Sequence, residues 1–225
     1  MQAADVMVRG VVTVHPDTDV ADAIKLLAER DISALPVVDA QGELVGIISE
    51  ADLLHRVEIG TEKHRRWLQE SMTAATTLAE DFAKSHGKKV SEVMTTHVVS
   101  ASEDTPLADI ASLLERKRIK RVPIVRDGKL VGIVSRSNLI QALASTASAA
   151  EGHQDTDRRV RDEIIARLEH EQDWTDFGGR NVIVQGGVVH LWGLITSDAE
   201  RHALVALAEG VPGVTEVRDE MFAIY

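Results

Sequence analysis

The sequence predicts an α+β chain in three parts: two copies of one β-α-β-β-α module, then a small αββαβ unit. Three observations carry this. A segment recurs, because Val6–Met7 returns 87 residues later as Val93–Met94. Leu35–Leu54 (LPVVDAQGELVGIISEADLL) is likewise answered by Val122–Ile140 (VPIVRDGKLVGIVSRSNLI), with one residue fewer in the turn. Within each copy, short β-branched runs alternate with stretches of helical period. From about Asp155 the pattern changes to an unrelated order of helix, hairpin, helix and strand. A period this long marks a tandem module, not a solenoid of short repeats. It predicts two similar halves about a pseudo-twofold axis, with a cleft between them.

Taken in order, Val11–Val14 and Val98–Ser100 are expected as short strands. Asp19–Glu29 and Pro106–Lys117 carry apolar residues at helical spacing (Val20, Ile24, Leu27; Leu107, Ile110, Leu114). Leu35–Val38 and Leu44–Ile48 flank a polar turn, as do Val122–Val125 and Leu130–Val134, which is a hairpin signal. Ser49 and Ser135 open the closing helices. The expected boundaries are 1–56 and 91–144 for the repeats, with a helical insert at 57–90. Residues 145–154 form a linker, drawn from the small, polar stretch Ala142–Gly152. Residues 155–225 form the last unit. There Val160, Ile164, Ile165 and Leu168 make a helical stripe, and a hairpin turns at Gly186-Gly187. A helix follows, capped by Ser197 and ended at Gly210, and Val214–Ala223 closes as a strand.

Bulk composition narrows the function. Among 225 residues, 36 acidic and 25 basic side chains give a formal charge of −11. Such a surface disfavours non-specific nucleic-acid binding, so no nucleic-acid partner is expected. Hydrophobic content of 44% with 3% aromatics implies a core of Val, Ile, Leu and Ala. Cysteine is absent, which excludes disulfides and thiolate chemistry and fits a reducing compartment. No signal peptide and no spanning apolar run is visible, so a cytoplasmic location is expected. The nine histidines include no pair at helical metal-ligand spacing with a carboxylate. No nucleophile has a visible base. No metal site, no catalytic residue and no enzymatic activity are expected. Trp67, Trp174 and Trp192 are read as packing anchors.

The two repeats resemble CBS domains. The carrying residues are the Val-Met pairs, Leu35-Pro36 and Val122-Pro123, and GIISEAD (Gly46–Asp52) against GIVSRSN (Gly132–Asn138). The resemblance implies a tandem pair, a Bateman module, that binds an adenosine-containing regulatory ligand in its cleft: AMP, ADP, ATP or S-adenosylmethionine. It also implies a homodimer through the repeat helices. Carried over by position, one ligand site combines Thr105, Ile119, Lys120 and Arg121 with Ser49 and Asp52. The other combines Thr18, Ile32, Ser33 and Ala34 with Ser135 and Asn138. The first has a carboxylate for the ribose hydroxyls and two cations for phosphate. The second has Asn in place of Asp and no cation, and is expected to be the weaker. Read from the residues alone, Ser49-x-x-Asp52 is also an ordinary helix cap with a first-turn acid, and Thr105-Pro106 an ordinary helix start.

The last unit resembles a BON domain, a small module of bacterial envelope proteins for which phospholipid association has been proposed. The carrying residues are Gly186–Gly193 (GGVVHLWG) and Gly213–Val217 (GVTEV). From Glu151 to Tyr225 there are 7 basic and 15 acidic residues, a net −8. Anionic headgroups would repel that charge by about 1 kcal/mol per residue near the surface. A protein contact is therefore expected before a lipid one. The combined expectation is a sensor whose ligand repositions the C-terminal domain. A scaffold that binds no ligand, or a membrane-associated adaptor, is the alternative.

Overall fold

The computed structural model describes residues 1–61, 82, 84–146, 154–170 and 180–223. Most of the expected helical insert lies outside the described residues, as do the middle of the linker, Trp67 and Trp174. The described elements are α1 (Ala3–Val6), α2 (Val20–Glu29), β1 (Ala34–Val38), β2 (Leu44–Ser49), α3 (Glu50–Leu53) and α4 (Val90–Val93). They continue with α5 (Leu107–Arg116), β3 (Arg121–Arg126), β4 (Lys129–Ser135) and α6 (Arg136–Thr146). The C-terminal domain contributes α7 (Gln154–His170), β5 (Asn181–Gln185), β6 (Val188–Ile195), α8 (Asp198–Glu209) and β7 (Glu216–Ala223). The α+β class read from the sequence holds.

The chain divides into two compact units that interleave the repeats. The smaller unit is Val12–Val99 with Asp127–Leu130, and the larger is Met1–Val11, Ser100–Arg126 and Val131–Tyr225. The reason is an exchange of leading segments. In the larger unit Val8, at the start of the first repeat, bridges Ile133 on β4 of the second. In the smaller unit Thr95, at the start of the second repeat, bridges Ile47 on β2 of the first. Each crossing segment brings its methionine against a glycine. A Cβ on Gly132 would lie 2.6 Å from Met7 Sδ, and one on Gly46 would collide with Met94 Sδ. The glycine of each GI[IV]S motif is the gap that admits the other repeat's Val-Met.

The smaller unit packs Val14, Val20, Ala23, Leu27, Leu35, Val37, Ile48, Val90 and Val93 into one core. β1 and β2 pair antiparallel from Ala34↔Ser49 onward. Helix α2 stops at Asp31 (φ 49°), and α5 of the larger unit stops at Arg118 (φ 53°), 87 residues on. Both are left-handed residues without the glycine that usually marks such an end. The leading runs are shorter than expected: Val14 makes a single bridge to Val37, and Ala101, just beyond Val98–Ser100, one to Ile124. Turns cut both ladders, as Thr18 N donates to His15 O (3.1 Å) and Thr105 N to Ser102 O (3.2 Å).

In the larger unit β3 and β4 form a two-stranded sheet, and β5, β6 and β7 a three-stranded one. The β5–β6 turn uses Gly186 (φ 59°) and Gly187 (φ 77°), the left-handed pair that a two-residue hairpin needs. β7 then runs parallel to β6, from Val188↔Glu216 to Ile195↔Ala223. Alternation splits this sheet. Val182, Val184, Val189 and Leu191 pack with Val160, Ile164 and Leu204 of α7 and α8. Ile183, on the opposite face, packs with Val6, Met7, Val134 and Ala142.

Candidate functional site

In the smaller unit, the end of β2 turns into α3 through a closed capping box. Asp52 Oδ2 accepts from Ser49 N (3.0 Å) and from Ser49 Oγ (2.7 Å). Its other oxygen accepts from Thr95 Oγ1 (3.1 Å) and from Lys84 Nζ (3.2 Å). The Asp52 side chain is 10% exposed. The helix-cap reading of Ser49-x-x-Asp52 is thus correct as geometry, and the box holds the carboxylate among four donors. Thr18, Ile32, Ser33 and Ala34 lie in the same unit. Thr18 Oγ1 accepts from His15 N (3.0 Å), Ile32 packs on the core, and Ser33 O accepts from Glu50 N (3.1 Å). Ala34 opens β1 beside Ser49, its antiparallel partner.

In the larger unit the corresponding box is Ser135 to Asn138. Asn138 Oδ1 accepts from Ser135 N (2.7 Å) and Oγ (2.8 Å). Asn138 is buried, and its Nδ2 donates to Gln141 Oε1 (3.2 Å). Thr105 Oγ1 accepts from Ser102 N (3.1 Å), and Pro106, not Thr105, occupies the cap position of α5. Ile119, Lys120 and Arg121 lead into β3. The carbonyls of Ile119 and Lys120 accept from the Arg136 side chain and backbone, each at 3.4 Å. Ser49, Asp52, Thr18, Ile32, Ser33 and Ala34 thus lie in the smaller unit, and Ser135, Asn138, Thr105, Ile119, Lys120 and Arg121 in the larger.

Comparison with known proteins decides the family. The CBS domain model matches residues 3–59 and 90–145. The chain belongs to the CBS-domain family. A BON domain follows, matched over residues 156–222. An uncharacterised protein of Methanocaldococcus jannaschii is 36% identical over 64% of this chain and 91% of its own length. The chloroplastic CBS domain-containing protein CBSX2 of Arabidopsis thaliana is 34% identical over 57% of this chain and 57% of its own length. A crystal structure of CBSX2 in complex with AMP superposes with a TM-score of 0.58 at 33% identity. It covers 65% of this chain and 99% of the CBSX2 chain.

The BON domain is docked onto the second CBS repeat through the N-terminal segment. Arg158 pairs with Asp5 (2.7 Å), and Arg9 with Asp162 (2.5 Å). Gln154 Nε2 also donates to Asp5 (2.9 Å). Burial pushes the Asp5 carboxyl up, but donors from Gln2, Arg158 and Gln154 outweigh it and hold the group below its ordinary 3.8. Arg161 is fully buried, donating to Val182 O (2.7 Å) and Met7 O (2.5 Å). Burial, with Arg9 adding repulsion, lowers its pKa to about 9. Asn181 Nδ2 donates to Val6 O (3.0 Å) and to Gln141 Oε1 (2.9 Å). Gln141 thus joins Asn138 to the first BON strand.

Sequence reasoning missed Thr95, Lys84, Gln141 and Asn181. Thr95 had a signal, since it follows the repeated Val-Met and its counterpart 87 residues earlier is Val8. Lys84 lies 32 positions from Asp52, and Gln141 lies 40 from Asn181, with no motif to link either pair. Among the described residues no helix is long and apolar enough to cross a membrane.

Proposed function

We propose that the chain is a non-catalytic regulatory sensor that binds an adenine nucleotide or related adenosyl ligand between its CBS repeats and relays the ligand state to the BON domain. The observation that carries this reading is the Ser49–Asp52 box. It fixes the orientation of a carboxylate on the motif that the CBS resemblance assigns to the ribose. The AMP-bound relative CBSX2 supports the ligand class. Lys120 and Arg121 supply the phosphate-binding charge that the resemblance assigns to the same site. Asn138 is buried and bonded to Gln141, which supports ranking its site as the weaker. The docked BON domain and the Asn138–Gln141–Asn181 chain support a relay within the molecule. Exposed Ile140 and Leu143, one turn apart on α6, support a homodimer through the repeat helices. The BON charge of −8 supports a protein partner over phospholipid.

Titration calorimetry with AMP, ATP and S-adenosylmethionine tests the reading. Wild-type binding that Asp52→Ala abolishes and Asn138→Ala spares is expected. A folded protein that binds none of the three is a scaffold.

A further inference from the structure

Asp52 has no acceptor position to spare. A carboxylate offers about four lone-pair sites, and Ser49 N, Ser49 Oγ, Thr95 Oγ1 and Lys84 Nζ fill them. A ribose diol can therefore reach Asp52 only by displacing one of these donors. Ser49 N belongs to the end of β2, and its Oγ sits on a short side chain beside it. Thr95 is fixed by the bridge to Ile47, where both backbone bonds measure 2.9 Å. Lys84 is the one donor on a long stem, and its side chain is 42% exposed. Of the four, the lysine is the donor most easily displaced.

Its anchor, however, does not leave with it. Arg56 is buried, and its Nη1 donates to Lys84 O (3.0 Å) and Gly87 O (2.9 Å). Glu58 holds the other edge of the same guanidinium (3.1 and 2.5 Å). Backbone carbonyls clasped in this way keep residue 84 beside Asp52 whichever way its ammonium turns.

We propose that Lys84 is a ligand-discriminating residue of this site: it closes on Asp52 when no ligand is bound and turns onto the phosphate of a bound nucleotide. The inference rests on reading Asp52 as the ribose acceptor. Its physical content is an exchange of partners. A nucleotide takes Asp52 from the ammonium and returns a phosphate to it, so charge pairing is kept. An adenosine without phosphate breaks the pair and returns nothing. Lys84 thus selects for phosphorylated ligands from an element outside both CBS repeats.

Calorimetry of the full chain with AMP and with adenosine, on wild type, Lys84→Met and Lys84→Arg, tests this. Lys84→Met is expected to lose about five- to tenfold in AMP affinity, within the range of one charge-assisted bond. It should bind adenosine at least as tightly as wild type, and Lys84→Arg should keep the preference for AMP. Matching melting temperatures confirm that the variants fold. Lys84→Met that binds both ligands like wild type, or loses both equally, overturns the role of Lys84 alone. Wild type that binds neither ligand overturns the reading of Asp52 and this inference with it.

Discussion

Ile183→Ala separates the docking of the BON domain from its folding. Ile183 is wholly buried, yet it faces away from the BON helices and packs with Val6, Met7, Val134 and Ala142 around the second CBS repeat. The substitution deletes three carbons, worth about 2.4 kcal/mol at ~0.8 kcal/mol per buried methylene. A residual cavity adds to this, for a total of about 3–4 kcal/mol, inside the usual range for such truncations. Val184→Ala is the control, because Val184, the next residue along β5, packs in the BON core with Val160 and Leu204. Native-state hydrogen exchange on the full chain reads both variants. Ile183→Ala should accelerate exchange in α1, in α6 and at Val8, as well as in β5. Val184→Ala should accelerate it chiefly within the BON domain. Identical exchange maps for the two variants would refute the docking argument, and so would Ile183→Ala destabilising by less than about 0.5 kcal/mol, the level of a surface change.

Gly132→Ala should cost about 1–3 kcal/mol by overpacking and lower the melting temperature more than Gly46→Ala. Its Cβ would meet Val8 O at 3.1 Å as well as the Met7 side chain, whereas Gly46 faces only the flexible Met94 side chain. Equal effects would remove the backbone from the account. Asn138→Ala should lower stability by about 1 kcal/mol through loss of the bonds it accepts from Ser135, and disturb the amide signals of Asn181; silence at Asn181 would break the proposed relay. His190 gives a pH dependence. Burial holds its imidazole below the ordinary 6.5, with Arg218 adding repulsion and Glu220 and Glu216 opposing. Between the two values the unfolded chain binds the extra proton, so this contribution is complete above about pH 6.5 and is lost as pH falls toward the depressed folded value. Denaturant melts of wild type and His190→Gln between pH 5 and 8 should diverge at the acid end; a constant difference would count against it. Asp5 acts at lower pH. Its contribution is present above 3.8 and lost as pH falls through the depressed value, so Asp5→Asn should flatten the acid limb of the stability curve.

Much of the fold was legible because local chemistry repeats. The paired Val-Met, the GIIS and GIVS runs and the Ser-x-x-Asp/Asn boxes each report a backbone need that holds wherever the segment lies. The Gly186-Gly187 turn and the Ser197 cap are equally local, with Ser197 Oγ accepting from Glu200 N at 3.1 Å. Asp31 and Arg118 escaped notice because neither is a glycine, though both take the left-handed conformation that ends a helix.

By itself the sequence determined the duplication, the element order and the placing of Asp52 and Asn138 on equivalent turns. Only the tertiary structure decided what those two side chains meet. Asp52 meets Thr95 from the exchanged leading segment and Lys84 from the insert, while Asn138 meets Gln141 and, through it, Asn181 of the BON domain. The physical reason is that a repeat fixes backbone conformation through short-range contacts. The environment of a polar side chain is set by residues distant along the chain, brought together by cores that the repeats share with their neighbours.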